Sequence, residues 1–455
     1  MKKNFYYRFS GQFNSFLISS GIILIFKLKL SDFNYGLWGI ITSLVMIFSI
    51  LSQFIIPNLI EKDFIELDHK SKIIILISYF KLLFFISPIM YIFIYRFYLS
   101  SNFYFDFKYL IPLLVTLLIV IENTINISNK IAISKSTTNR FDKIEFFIMK
   151  YLRFLTFIIY FFYLNKNSFI YVLVIHVVIR MLSMIFIIKA FRDSLFTLKE
   201  FIATGTNVNI FSSFFESNTK NFFTNITQIL FYNSLFIISS FYFDESTYAD
   251  ITFYFIIFNF CRVFFGSYSI LLTPDVKKDM KKFELKFSEF NFFLISSLLI
   301  NLLYFVLSFF ENNGLLTFNF LAEINYDYIK FGIFHGFIVS AYGLRHYLVK
   351  FSSQFTSKHL SFLILNSLIA VILFMGGEKL IDLQSAYIIS IVFFEICSLI
   401  FYFILSLAIN NKYKFYKLPL SSFLLFLSLF NSNTLILLII LLINSLEVVL
   451  RNNRK

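Results

Sequence analysis

Residues 30–62 read LSDFNYGLWGIITSLVMIFSILSQFIIPNLIEK, a short polar turn, a long apolar run and a charged exit in one unit. Asp32, Asn34 and Gly36 supply the side-chain hydrogen bonds and backbone freedom that turns favour, so a turn is expected across Ser31 to Gly36. A run of about 20 mostly apolar residues follows, enough to cross a bilayer core at roughly 1.5 Å per residue. Pro57 interrupts the end of that helix, and Glu61, Lys62 and Asp63 return the chain to water.

The rest of the chain repeats this design. With 455 residues, 58% hydrophobic and 15% charged, it holds more apolar sequence than one soluble core can bury. The reading is an all-α polytopic membrane protein. Windows of spanning length fall near 9–27, 36–60, 72–95, 109–128, 144–164, 168–189, 213–241, 250–273, 290–310, 330–349, 358–376, 385–409, 418–430 and 433–450, which makes about 14 helices. The last two windows fit two helices or one bent hairpin. The 69 phenylalanines, with many Ile, Asn and Lys, fit an AT-rich coding sequence rather than a Phe-specific function.

The formal charge of +14 does not form a nucleic-acid patch, because the basic residues sit in short loops between apolar runs. Membrane orientation accounts for them. With the amino terminus in the cytoplasm, inner loops and termini hold roughly 28 Lys and Arg against about 7 outside. Both termini are then cytoplasmic. Outer loops carry Asp244, Glu245, Asp250, Glu311, Glu323 and Asp327 instead. Met1-Lys2-Lys3 and the apolar run behind them read as an uncleaved first helix, since no small-residue cleavage site follows. Cys261 and Cys397 both lie in apolar segments, which excludes a disulfide framework or zinc site built from them.

An even number of helices per half allows two parallel repeats. Residues 1–190 form an amino-terminal six-helix lobe in this reading, 191–212 a cytoplasmic crossover, 213–410 a second six-helix lobe and 411–455 a terminal helix pair. A local echo supports the repeat: Ser31-Asp32-Phe33-Asn34-Tyr35-Gly36 has a counterpart in Asp244-Glu245-Ser246-Thr247-Tyr248-Ala249. Ile56-Pro57-Asn58 likewise matches Thr273-Pro274-Asp275.

Polar residues inside spans carry the functional information, since a charge at mid-bilayer costs about 2.5–3.5 kcal/mol unless it is paired or faces water. They are Lys81, Glu122, Lys150, Arg153, His176, Arg180, Arg262, His335 and Glu395. Glu122 can pair with Arg153 or Arg180 and so tie three helices together. Lys81, Lys150, Arg153 and Arg180 outnumber that one carboxylate, which suits a hydrated cavity for an anion; snorkelling of Lys81 or Lys150 is the competing account. In the seventh window Asn218, Asn221, Asn225, Gln228 and Tyr232 share one helical face, with Lys220 beside them. Asn259, Arg262 and Gly266 fall together in the eighth, Ser49 and Gln53 in the second, and Gly11, Ser15 and Ser19 in the first. Packing glue is the plainer reading of any one such residue.

No nucleotide-binding loop, HExxH or Gly-rich phosphate motif is present, and the five histidines are scattered. Nothing calls for a cofactor or metal.

The Ser-Asp-Phe-Asn-Tyr-Gly entry, the charged segment after Pro57 and the hydropathy of nearly the whole chain resemble the MOP superfamily of multidrug, oligosaccharidyl-lipid and polysaccharide transporters, whose fold is MATE-like. The resemblance is to Wzx-type O-antigen flippases in particular. It implies a multi-pass protein of the bacterial cytoplasmic membrane that moves an undecaprenyl-pyrophosphate-linked oligosaccharide, an O-antigen or capsule repeat unit, between leaflets by alternating access. Membrane lipids and other polysaccharide-assembly proteins are the implied partners. Within that expectation Arg262 and Lys220 meet the headgroup, with Arg153 and Arg180 as further contacts. Arg8 stands at the cytoplasmic mouth, and Asn221, Asn225, Gln228 and Asn259 meet sugars. The alternatives are an O-antigen polymerase or ligase, which usually displays a long basic outer loop, and a cation-coupled multidrug exporter of the same superfamily, which favours intramembrane carboxylates.

Overall fold

The computed structural model describes residues 18–19, 21–53, 69–100, 107–134, 141–165, 169–190, 233–259, 353–377, 383–409 and 436–443, with a few isolated positions between them. Helices and short turns account for these residues, and no strand occurs among them. The main helices are α1 (Asp32–Gln53), α2 (His69–Ser100), α3 (Leu110–Ser134), α4 (Met149–Tyr163), α5 (Phe169–Ala190), α6 (Ser353–Gly377) and α7 (Leu383–Ile409). A single π-helical turn, Lys143–Ile148, leads into α4. Five stretches are long and apolar enough to cross a membrane: Asp32–Gln53, Ser71–Leu99, Leu110–Ala132, Lys143–Tyr163 and Phe169–Ala190. The chain is therefore a multi-pass membrane protein.

The opening turn is tighter than the sequence suggests. Helix 21–29 ends at a bend, and α1 starts at Asp32, so Asn34, Tyr35 and Gly36 are buried helical residues rather than turn residues. Ser31 is the reason. Its Oγ accepts the Asn34 amide at 3.3 Å, and its carbonyl accepts the Tyr35 amide at 2.9 Å, so the chain enters the helix immediately after it. Asp32 occupies the first turn, where the helix dipole favours an anion, and its carboxylate reaches back 3.4 Å to Lys27.

The matching segment at Asp244 uses the same device. Asp244 Oδ2 accepts the Thr247 amide at 3.5 Å, its carbonyl accepts the Tyr248 amide at 2.9 Å, and helix 245–259 follows. Hydrogen bonding from Thr247 holds the Asp244 carboxyl below the usual carboxylate range. In both places the tyrosine four residues after the cap is completely buried, Tyr35 in one and Tyr248 in the other. Tyr248 also donates its hydroxyl to the Phe236 carbonyl at 3.3 Å. The echo read from the sequence is thus a repeated hairpin: helix, tight turn, capped helix, buried tyrosine.

Contacts divide the chain into two compact units, Met1–Ala249 with Ser352–Ile391, and Asp250–Phe351 with Val392–Lys455. The crossover expected at 191–212 lies outside the described residues. In the first unit α3 is central, packing on α1, α2 and α5, while α4 packs on α5. Tyr160 of α4 donates to the Val172 carbonyl of α5 at 3.2 Å, and helix 21–29 packs so closely on α4 that a Cβ at Gly21 would stand 2.8 Å from the Phe157 ring. Rings of Tyr242, Phe243, Phe374 and Tyr387 meet edge to face at 6.0–6.2 Å and bring α6 into the same unit. In the second unit Gly332 lets two helices touch, since a Cβ there would lie 3.0 Å from the Tyr254 carbonyl oxygen.

Pro88 lies inside α2 and has no N–H for the carbonyl four residues back. That carbonyl belongs to Phe84, and the Ser87 hydroxyl donates to it at 2.9 Å. A neighbouring hydroxyl thus answers a backbone group that lipid cannot. The flanking side chains Phe84, Phe85, Ile89, Ile92 and Phe93 are exposed, as lipid-facing residues should be.

Candidate functional site

The intramembrane charges of the first unit converge on one cluster. Glu122 stands midway along α3 and Arg180 midway along α5. Arg180 Nε donates to Glu122 Oε1 at 2.5 Å, and Nη2 donates to Oε2 at 2.7 Å, a parallel fork on one carboxylate. The third nitrogen, Nη1, donates to Glu145 Oε1 at 2.6 Å. Arg153 Nη2 of α4 donates to that same oxygen at 2.8 Å, and the Ser183 hydroxyl of α5 donates to Glu145 Oε2. Three donors from two helices therefore meet on one carboxylate.

Glu145 belongs to the π-helical turn that precedes α4. Such a turn carries one extra residue per hydrogen-bonded ring, which changes the register of side chains on either side of it. Charge repulsion alone would keep Arg153 and Arg180 apart; Glu145 between them makes their approach favourable. Glu145, Arg180 and Arg153 retain 9%, 12% and 15% side-chain exposure, and Glu122 is the most open at 23%.

The residue after Glu122 joins a second network. Asn123 is fully buried; its Nδ2 donates to Ser52 Oγ at 2.7 Å, and its Oδ1 accepts Gln53 Nε2 at 2.8 Å. Ser52 donates its own hydroxyl hydrogen bond to the Phe48 carbonyl at 2.6 Å. Because Asn123 is clamped to α1, the backbone that carries Glu122 is held while its side chain reaches α5. One turn before Arg180, His176 packs edge-on against Trp38 with ring centroids 5.2 Å apart. Trp38 in turn meets Phe26, and Phe26 meets Tyr160, at 5.3 and 5.1 Å.

The surplus of cations expected in this half is revised by these contacts. Of the two arginines, Arg180 pairs with Glu122, one of the pairings foreseen, and both arginines pair with Glu145. Two arginines and two carboxylates leave the cluster formally neutral when all are ionised. Along the chain Glu145 reads as interfacial, because it stands at the edge of a hydropathy window, two residues from Lys143. Its spacing from Arg153, eight residues on, spans roughly two turns and was the available signal.

Other expected contacts are less fully described. Asn259 donates Nδ2 to the Phe255 carbonyl of its own helix at 3.0 Å, and its buried Oδ1 meets no donor among the described residues. Arg8, Lys220, Asn221, Asn225, Gln228 and Arg262 lie outside the described residues, as does Cys261. Cys397 is a free thiol. No cluster of His, Cys, Asp or Glu suited to a metal occurs among the described residues.

A multi-pass helical bundle with a paired charge cluster inside it is the class that these residues define. Its fold is similar to the crystal structure of the eukaryotic MATE transporter AtDTX14, with a TM-score of 0.55 and 10% identity, over 94% of this chain and 98% of that one. At this identity the likeness is one of fold. No protein-family model matches the chain, and no curated protein matches it.

Proposed function

We propose that this chain is a membrane transporter working by alternating access, and that its cargo is an undecaprenyl-pyrophosphate-linked oligosaccharide moved from the inner to the outer leaflet of the bacterial cytoplasmic membrane. The observation that carries the transporter reading is the likeness to a MATE transporter along nearly the full length of both chains. The reading includes about 14 helices in two six-helix lobes with a terminal pair, and both termini in the cytoplasm. The cargo rests on the sequence: the Wzx-like entry to α1, Arg262 and Lys220 for the pyrophosphate, Arg8 at the mouth, and Asn221, Asn225, Gln228 and Asn259 for sugar hydroxyls. Two lobes rocking about a central cleft would carry the headgroup while the polyprenyl tail stays in lipid.

Glu122 and Glu145 favour a second reading, a cation-coupled multidrug exporter of the same superfamily, because intramembrane carboxylates are natural cation and proton ligands. The polymerase or ligase alternative draws no support from the fold. Deleting the gene decides between cargoes: lipid-linked repeat units trapped on the inner leaflet are the expected result, and drug hypersensitivity with normal repeat-unit export is the result that favours the exporter. Within the first reading Arg262→Ala should reduce flipping at normal membrane abundance. Unchanged flipping removes Arg262 from the site.

A further inference from the structure

We infer that Glu122 is a built-in competitor for the cargo's phosphate, occupying the Arg180 edge that an anionic headgroup would take as a further contact beside Arg262 and Lys220. The inference rests on the pyrophosphate-linked cargo proposed above. Its basis is the division of labour on Arg180. The Nε/Nη2 edge, the one suited to bidentate recognition of a carboxylate or phosphate, is held by Glu122 at 2.5 and 2.7 Å. The remaining Nη1 is held separately by Glu145 at 2.6 Å. Release of Glu122 would therefore leave Arg180 anchored, oriented and offering two parallel donors.

The charge balance follows the same division. With Glu122 in place, Arg153, Arg180, Glu122 and Glu145 sum to zero, and a free anion gains little there. With Glu122 turned away, Arg153 and Arg180 against Glu145 leave one positive charge, at mid-helix depth, where an unscreened phosphate is strongly attracted. Glu122 is also the member able to leave. It is the most open of the four at 23% and has both oxygens on one partner residue, whereas Glu145 is closed over by donors from Arg153, Arg180 and Ser183. The Asn123 clamp to Ser52 and Gln53 fixes the backbone, so release is a side-chain rotation. Once turned away from Arg180 the carboxylate would be unpaired, so its release requires water on that side of α3, since lipid would penalise it by about 2.5–3.5 kcal/mol.

The test is binding of farnesyl pyrophosphate, a short polyprenyl pyrophosphate, to the purified full-length protein in detergent, with farnesol as the uncharged control. Glu122→Gln should lower the Kd for farnesyl pyrophosphate at least threefold and leave farnesol binding unchanged. Glu122→Asp, a milder change that retracts the carboxylate by one methylene, should shift it in the same direction and serves if the Gln variant does not fold. Adding Arg180→Gln to either should abolish the gain. An unchanged or raised Kd in the Glu122 variants overturns the competitor role and leaves the cargo proposal standing. Absence of pyrophosphate-dependent binding in wild type and every variant overturns both.

Discussion

Replacing Glu145 by Gln is the sharpest test of how the charge cluster is held together. The substitution keeps the side-chain shape but removes the negative charge from a carboxylate that receives Arg180 Nη1 at 2.6 Å, Arg153 Nη2 at 2.8 Å and the Ser183 hydroxyl. A Gln offers one acceptor oxygen in place of two and adds an NH2 that points at donors. Arg180 retains Glu122, while Arg153 loses the carboxylate it shares with Arg180. Removing one partner of a buried ion pair costs about 3–5 kcal/mol, because the burial of the other charge is then less fully offset. The lower end applies here, since 15% of the Arg153 side chain is still open and can draw in water. The change is read as loss of folded protein after graded heating in detergent, followed by size-exclusion profile. The double variant Glu145→Gln with Arg153→Gln removes both charges of that contact and should recover at least half of the lost stability, a coupling well above the roughly 0.3–0.5 kcal/mol expected of independent sites. A single variant within about 0.5 kcal/mol of wild type, the range of an ordinary surface change, would refute the reasoning.

Two further outcomes are expected. Asn123→Ala cuts both hydrogen bonds between α3 and α1 and strands Gln53; it should destabilise the protein by about 1–3 kcal/mol in the same heating assay, and equal stability would show that the clamp is incidental. Asp244→Ala removes a helix cap and should cost about 1 kcal/mol, whereas Asp244→Asn keeps a capping oxygen and should cost less. The carboxyl of Asp244 is held below its usual range by Thr247, so its contribution is present above the unfolded carboxylate pKa and disappears as pH falls through the lower folded value. Solvent screening keeps that contribution small at so open a site. A pH dependence near pH 4 that is identical in wild type and Asp244→Asn would contradict this assignment.

The two hairpins show how much local chemistry can announce. Ser31 and Asp244 stand where a short polar side chain can accept the amide three residues on, and each is followed by a tyrosine on the face that turns inward. Capping and burial there need only a few neighbouring residues, so the repeat was readable before any helix was placed. The turn stops short of Gly36, because the cap at Ser31 starts the helix before the glycine's backbone freedom is used. In the charge cluster the relevant separations are of another kind: Arg180 lies 58 residues from Glu122 and 35 from Glu145, and Gln53 lies 70 from Asn123.

By itself the sequence determined the membrane class and the approximate course of the apolar spans that the described helices cover, because transfer free energy is a sum over adjacent residues. Only the tertiary structure decided which buried charges meet. Pairing depends on the angular register of one helix against another, and a single π-helical turn at 143–148 shifts that register with almost no trace in hydropathy. Glu145 consequently reads as an interfacial residue along the chain and stands between two arginines in space.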